Sequence, residues 1–180
     1  MDTDIVRLHV KRITDYMTVS IFLQDRTITE EIYEDSAYFV IPDIIKEYWI
    51  GTFIDEKIIG LYQIQARGAI LHEIHARILP QYRKKYSLKS SQYVVRWAFD
   101  MIPNINVLMA YVPTAHTNVA KHAQDVGFQY CGVIRNSYMK NGKMCDQEIY
   151  SLTKEDIVGV NHASGSSNGS SNNRRGGNSE

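Results

Sequence analysis

Cysteine is scarce in this sequence, and neither sign of charge is in excess. Cys131 and Cys145 are the 2 cysteines of 180 residues, too few and too far apart for a zinc ribbon or a disulfide-stapled scaffold. Two free thiols in a reducing compartment is the expectation, because secreted disulfide frameworks look different. Lys plus Arg total 20 and Asp plus Glu total 20, so the net charge is +0 with neutral histidine. The broad positive field of a duplex-binding protein is therefore missing, and nucleic acid is not an expected partner, although small local basic patches remain open. No apolar run approaches the roughly 20 residues of a membrane span. The opening Met1-Asp2-Thr3-Asp4 has neither a basic stretch nor an apolar one, so no secretory signal is expected and the chain reads as cytoplasmic.

What is there suits one domain. Hydrophobic residues make up 44% of the chain, enough for one substantial core. The expected domain spans residues 1–157. Residues 158–180 form a Ser/Gly/Asn-rich tail that cannot bury enough apolar surface to offset chain entropy, and it is expected to stay disordered. No internal repeat is visible.

The hydrophobic period changes along the chain. Val6 to Val10 alternates as a strand, and Asp15 to Leu23 has apolar residues near helical spacing with Asp15 at the start. Thr29 to Tyr33 reads as helical, and Pro42 opens a short helical turn around Ile44 and Ile45. Tyr48–Ile54, Ile58–Ile64 and Ala69–Leu79 then read as three strands with short connections. Such connections allow only an antiparallel meander. Pro80 ends the third of these. The polar segment Gln81 to Ser87 is expected as a loop leading into a helix from Leu88 to Met101, with Ser87 as its N-cap. Val107 to Val112 is a continuous apolar run, as for a strand buried on both faces. Thr117 to Val126 is a short helix closed by Gly127. A hairpin from Gln129 to Leu152 follows, around Asn141-Gly142, a pair suited to a type I′ turn. That turn predicts Lys140 opposite Lys143, Ile134 opposite Ile149, and Arg135 opposite Glu148.

This order of elements resembles the fold of the GCN5-related N-acetyltransferases (GNAT). Three local matches carry the resemblance: Ile78-Leu79-Pro80-Gln81-Tyr82-Arg83; Val126-Gly127-Phe128; and Gly132-Val133-Ile134-Arg135 followed by Asp146 and Tyr150-Ser151-Leu152-Thr153. The implied architecture is α/β (α+β). It has a mixed central sheet, an antiparallel N-terminal meander, splayed fourth and fifth strands and a C-terminal hairpin. The implied co-substrate is acetyl-CoA, lying in the wedge between the splayed strands. Ile78 and Leu79 would then offer backbone groups to the pantetheine. The pyrophosphate would sit over Arg83, Lys84, Lys85, Tyr86, Ser87 and Leu88, at a helix N-terminus that favours an anion. Asn118 lies near a position where the family often contacts CoA.

The sequence departs from the family at two places. Tyr86 and Leu88 stand where small residues let the backbone approach the phosphates, so the same segment also reads as a solvated basic turn. Ala123 stands where many members carry a tyrosine that can protonate the departing thiolate, and the adjacent His122 is turned by about 100° on a helix. On the third meander strand Glu73, His75 and Arg77 share one face. Glu73 and His75 are the candidate catalytic groups, since both residue types can be tuned toward a neutral pKa for deprotonating an amine. A structural polar row is the other reading of the same residues. No metal site is expected, because His72 and His75 point to opposite faces of a strand.

Finer details also resemble short GNAT-like proteins encoded by tailed phages, some of which carry head-assembly labels. They include Glu73-Ile74-His75-Ala76, Pro113-Thr114, Asn118-Val119 and Arg135-Asn136-Ser137. Two functions follow as expectations. One is an N-acyltransferase using acyl-CoA and an amine acceptor. The other is a catalytically degenerate protein working with phage assembly proteins.

Overall fold

A computed structural model describes residues 7–28, 34–35 and 41–157. The expected helical segment at 29–33 and the tail at 158–180 lie outside these residues, as does Val6. A 7-stranded sheet runs in the order β1-β2-β3-β4-β5-β7-β6. Its strands are β1 (Leu8–Ile13), β2 (Tyr48–Ile54), β3 (Lys57–Ala66), β4 (Leu71–Ile78), β5 (Val107–Pro113), β6 (Gln129–Lys140) and β7 (Lys143–Thr153). The first four are antiparallel neighbours; β2, β3 and β4 are the predicted three-strand meander, and β1 adds to its edge. β4 and β5 are parallel, joined by a crossover that a helix must supply.

Helix α1 spans Tyr16–Leu23, and the Asp15 carboxylate caps it by accepting from the Thr18 N–H at 2.7 Å. At Pro42 the chain makes the expected single turn, in which the Glu47 N–H reaches the Asp43 carbonyl at 2.9 Å. Helix α2, Pro80–Met101, corrects the sequence reading. It starts eight positions before Leu88, so the expected loop is its first two turns, and Ser87 is no N-cap. The physical reason lies in the segment itself. Pro80 is pre-organised for the first helical position, and Gln, Arg, Lys and Leu are good helix formers with no glycine among them. Helix α3, Thr117–Val126, ends at Gly127 with φ +118°, as its sequence predicts.

Each sheet face has its own core. Tyr62, Ile64, Ile78 and Leu108 pack against Val94, Val95, Ala98 and Phe99 of α2. On the opposite face Trp49 and Leu61 pack with Val19, Phe22 and Leu23 of α1. Each such side chain contributes about 1.5–3 kcal/mol when fully buried. β5 departs from the expectation of burial on both faces. Leu108 and Val112 are buried, while Met109 and Tyr111 on the other side are only half-buried.

The hairpin turn is as predicted, with φ +52° at Asn141 and +70° at Gly142, and Lys140 faces Lys143. Beyond it the register differs. Ile134 faces Gln147 and Val133 faces Glu148, so neither the Ile134–Ile149 nor the Arg135–Glu148 pair forms. Asn136 adopts φ +52°, and its N–H donates to the Asp146 carboxylate at 2.8 Å. That bond loops residues 135–137 out of the ladder as a bulge. Cys131 and Cys145 are both free thiols.

Candidate functional site

The site follows from a break in the sheet. β4 and β5 pair only through Leu71–Val107, His72–Leu108 and Glu73–Met109. From Ile74 and Ala110 onward the two strands part. A cavity of about 1030 Å³ opens between them, lined by β4 residues from both faces of the sheet. Backbone groups that a ladder would have used face this gap, and buried backbone groups need partners.

One side of the cavity is polar. Glu73, His75 and Arg77 share a face of β4, opposite Gln65, Gln63 and Leu61 of β3. The Glu73 side chain is 9% exposed. The Arg67 Nε–H donates to its Oε2 at 2.6 Å, and Nε2 of His75 lies 2.8 Å from its Oε1. Burial, the largest single influence, pushes the Glu73 carboxyl up. The hydrogen bonds and charges of His75 and Arg67 together outweigh it, and the carboxyl ends below its ordinary value of 4.5. Glu73 is therefore an anion at neutral pH that already serves two donors. In the neutral imidazole this contact places the His75 proton on Nε2, toward Glu73, and leaves the lone pair on Nδ1. Arg77 is buried and donates to Gln63 Oε1 at 3.3 Å. Gln63 and Gln65 in turn donate to the two oxygens of Glu47 at 3.0 and 2.5 Å.

The other side is bounded by α2 and α3. Lys84, Ser87, Ser91 and Val95 line it, spaced three and four apart as one stripe of a helix. From α3 come Asn118, His122 and Ala123. Ser91 Oγ lies 2.9 Å from Tyr62 Oη and 3.0 Å from His122 Nε2. The chain of three bonds β3 through α2 to α3. Burial pushes the Tyr62 hydroxyl pKa up and the His122 imidazole pKa down, with the charge of Asp125 acting the other way on His122.

The predicted residues divide between this cavity and elsewhere. Glu73, His75, Ile78, Arg83, Lys84, Ser87 and Asn118 line the cavity. Leu79 is buried beneath α1 instead. Lys85 lies over the ring of Tyr86, 5.1 Å from its centroid, and Tyr86 in turn rests against Tyr82. Leu88 is 41% exposed to solvent. The cause is the helix: its period sends these three side chains away from the stripe that carries Lys84 and Ser87. Arg83 is held against the end of β4, where its Nε–H donates to the Ile78 carbonyl at 2.8 Å.

Sequence reasoning set His122 aside because it faces away from Ala123, yet both residues border the cavity, which wraps around that side of α3. Ser91 and Tyr62 were not singled out from the sequence. Ser91 sits in the stripe 84, 87, 91, 95, and a polar residue in an otherwise inward helix row was the available signal. Among the described residues no group of acidic, cysteine and histidine side chains could hold a metal ion, and no helix is long and apolar enough to cross a membrane.

Comparison with solved structures shows the fold. The spermidine N-acetyltransferase from Vibrio cholerae, solved in complex with CoA and spermine, superposes with a TM-score of 0.70 at 14% identity, covering 84% of this chain and 98% of that one. An acetyltransferase of the GNAT family from Streptococcus pneumoniae gives a TM-score of 0.66 at 16% identity, covering 82% of this chain and 99% of its own. The domain thus has the GNAT fold, with the parallel β4–β5 pair and the splay predicted for it. Among curated proteins there is no match. A family model matches residues 10–162, and by that match the chain belongs to the family described as protein of unknown function (DUF2824).

Proposed function

We propose that the chain is an N-acyltransferase that moves an acetyl or other acyl group from acyl-CoA to an amine. The observation that carries this reading is the cavity that passes between β4 and β5, with the Glu73–His75 pair on one side and the His122–Ser91–Tyr62 chain on the other. A thioester entering along α2 and α3 would meet an amine entering past β3 and β4 where the strands part. The V. cholerae structure holds CoA and spermine together, which supports a two-substrate use of this fold, although likeness of fold alone does not establish chemistry.

The residues divide the work as follows. The splayed strands supply backbone N–H groups for the thioester carbonyl, and the walls hold the two reactants together. Glu73 stays ionised and orients His75. His75 Nδ1, with its lone pair, accepts a proton from the attacking amine. Arg83, Lys84 and Ser87 lie where the anionic part of CoA would rest, with Asn118 across from them at the start of α3. Acetyl-CoA is thus the co-substrate, the acceptor is an amine, and the working compartment is the cytoplasm.

One observation favours a second reading, that of a catalytically degenerate GNAT fold working with phage assembly proteins. The segment Arg83–Leu88 is closed helix carrying Tyr86 and Leu88, not an open turn of N–H groups, and it offers a pyrophosphate less backbone. The two readings part in one assay. Protein incubated with acetyl-CoA and a panel of primary amines should release CoA thiol, and His75→Ala should abolish that release. No release with any amine would favour the assembly reading.

A further inference from the structure

The direction of the hydrogen bonds in the Tyr62–Ser91–His122 chain can be worked out from burial. Tyr62 is 1% exposed, and among the described residues the hydrogen-bond partner of its hydroxyl is Ser91. If His122 donated from Nε2 to Ser91, and Ser91 to Tyr62, the tyrosine proton would have no acceptor inside the core. If His122 and Tyr62 both donated to Ser91, the serine proton would have no acceptor among the described residues. Either loss is costly. The opposite order satisfies all three groups. Tyr62 donates to Ser91, Ser91 donates to Nε2 of His122, and the imidazole proton is left on Nδ1. Nδ1 has no partner among the described residues, and His122 lines the cavity. The charged neighbours leave this arrangement intact. Asp125, on the same helix, is held at 3.0 Å by Lys121 through both of its oxygens, while Arg83 and Lys84 of α2 line the same cavity.

From this geometry we infer that His122 presents an Nδ1–H donor to the cavity and stabilises the sulfur of the departing CoA thiolate, in place of a tyrosine hydroxyl at position 123. The inference rests on the acyltransferase reading. The amine nitrogen attacks the thioester carbon, and the C–N bond forms as the C–S bond breaks. Sulfur leaves with the bonding pair as a thiolate that accepts the Nδ1–H hydrogen bond. The proton lost by the amine goes to His75 and then to water, and the thiolate takes its own proton from water on release. His122 itself needs no change of protonation state, in keeping with burial holding its pKa below the ordinary 6.5.

CoA itself, with its free thiol, is the probe. Its thiol pKa is read from the ultraviolet absorbance of the thiolate, bound and free, alongside its affinity by calorimetry. Wild type should lower the bound thiol pKa by about one unit, a roughly tenfold gain in thiolate. His122→Phe, which has no donor, should return it toward the free value. His122→Asn, whose amide N–H falls near the place of Nδ1, should retain the shift. Should His122→Phe fail to fold, His122→Ala carries the same comparison. Bound CoA with the same thiol pKa in wild type and the donor-less variant would overturn the role of His122 alone. Failure of wild type to bind CoA at all would overturn the acyltransferase reading and this one with it.

Discussion

Nε2 of His75 lies 2.8 Å from Oε1 of Glu73, two residues apart on one face of β4, and Arg67 takes the other carboxylate oxygen at 2.6 Å. The three side chains act as one unit. Glu73→Gln should leave the guanidinium with a weaker acceptor and free the imidazole to rotate. The expected loss of stability is about 1–3 kcal/mol by urea unfolding, short of what a fully buried pair would lose because Arg67 is half-exposed.

The same pair sets an acid limb. The folded pKa of Glu73 lies below its ordinary value of 4.5, so its contribution is present above that value and is lost as pH falls through the folded one. Wild type should therefore lose stability progressively below pH 4.5, and Glu73→Gln should lose less over the same range. Parallel acid limbs for the two proteins would show that the ion pair contributes nothing.

The Tyr62–Ser91 bond should respond asymmetrically to truncation. Tyr62→Phe removes the buried hydroxyl together with its need for a partner, and about 1 kcal/mol is the expected loss. Ser91→Ala strands the Tyr62 hydroxyl in the core and should cost more, up to about 3 kcal/mol. Urea midpoints of the two variants check this, and the reverse order would mean that Tyr62 does not depend on Ser91.

Much of the fold was legible because its signals are local. Gly127 marks the end of α3, Asn141-Gly142 marks the hairpin turn, and alternation on β4 puts Glu73, His75 and Arg77 on one face. The register of β6 was not legible. It depends on the Asn136 N–H reaching the Asp146 carboxylate across the hairpin, a long-range bond with no sequence period. The start of α2 was misplaced for a different reason. The polar run after Pro80 looks like a solvated loop by composition, but a polar helix surface has the same composition. His122 was missed because a single helical angle says nothing about how far a cavity wraps around its helix.

That misplaced boundary makes its own prediction. Tyr86→Gly with Leu88→Gly now falls inside α2, and the pair should lower stability by about 2 kcal/mol, about 1 kcal/mol per glycine. Thermal unfolding checks it. An unchanged melting temperature would mean that this segment is not helical in solution.

The central claim is that the gap between β4 and β5 receives acyl-CoA. Calorimetric titration with acetyl-CoA tests it without any knowledge of the acceptor. The account predicts saturable one-to-one binding with a Kd below about 0.1 mM, a free energy of roughly −5.5 kcal/mol or better. It also predicts at least a ~10-fold weakening in Arg83→Ala, from loss of charge-assisted bonds to phosphate. No saturable heat at millimolar acetyl-CoA, or equal affinity in Arg83→Ala, would contradict it.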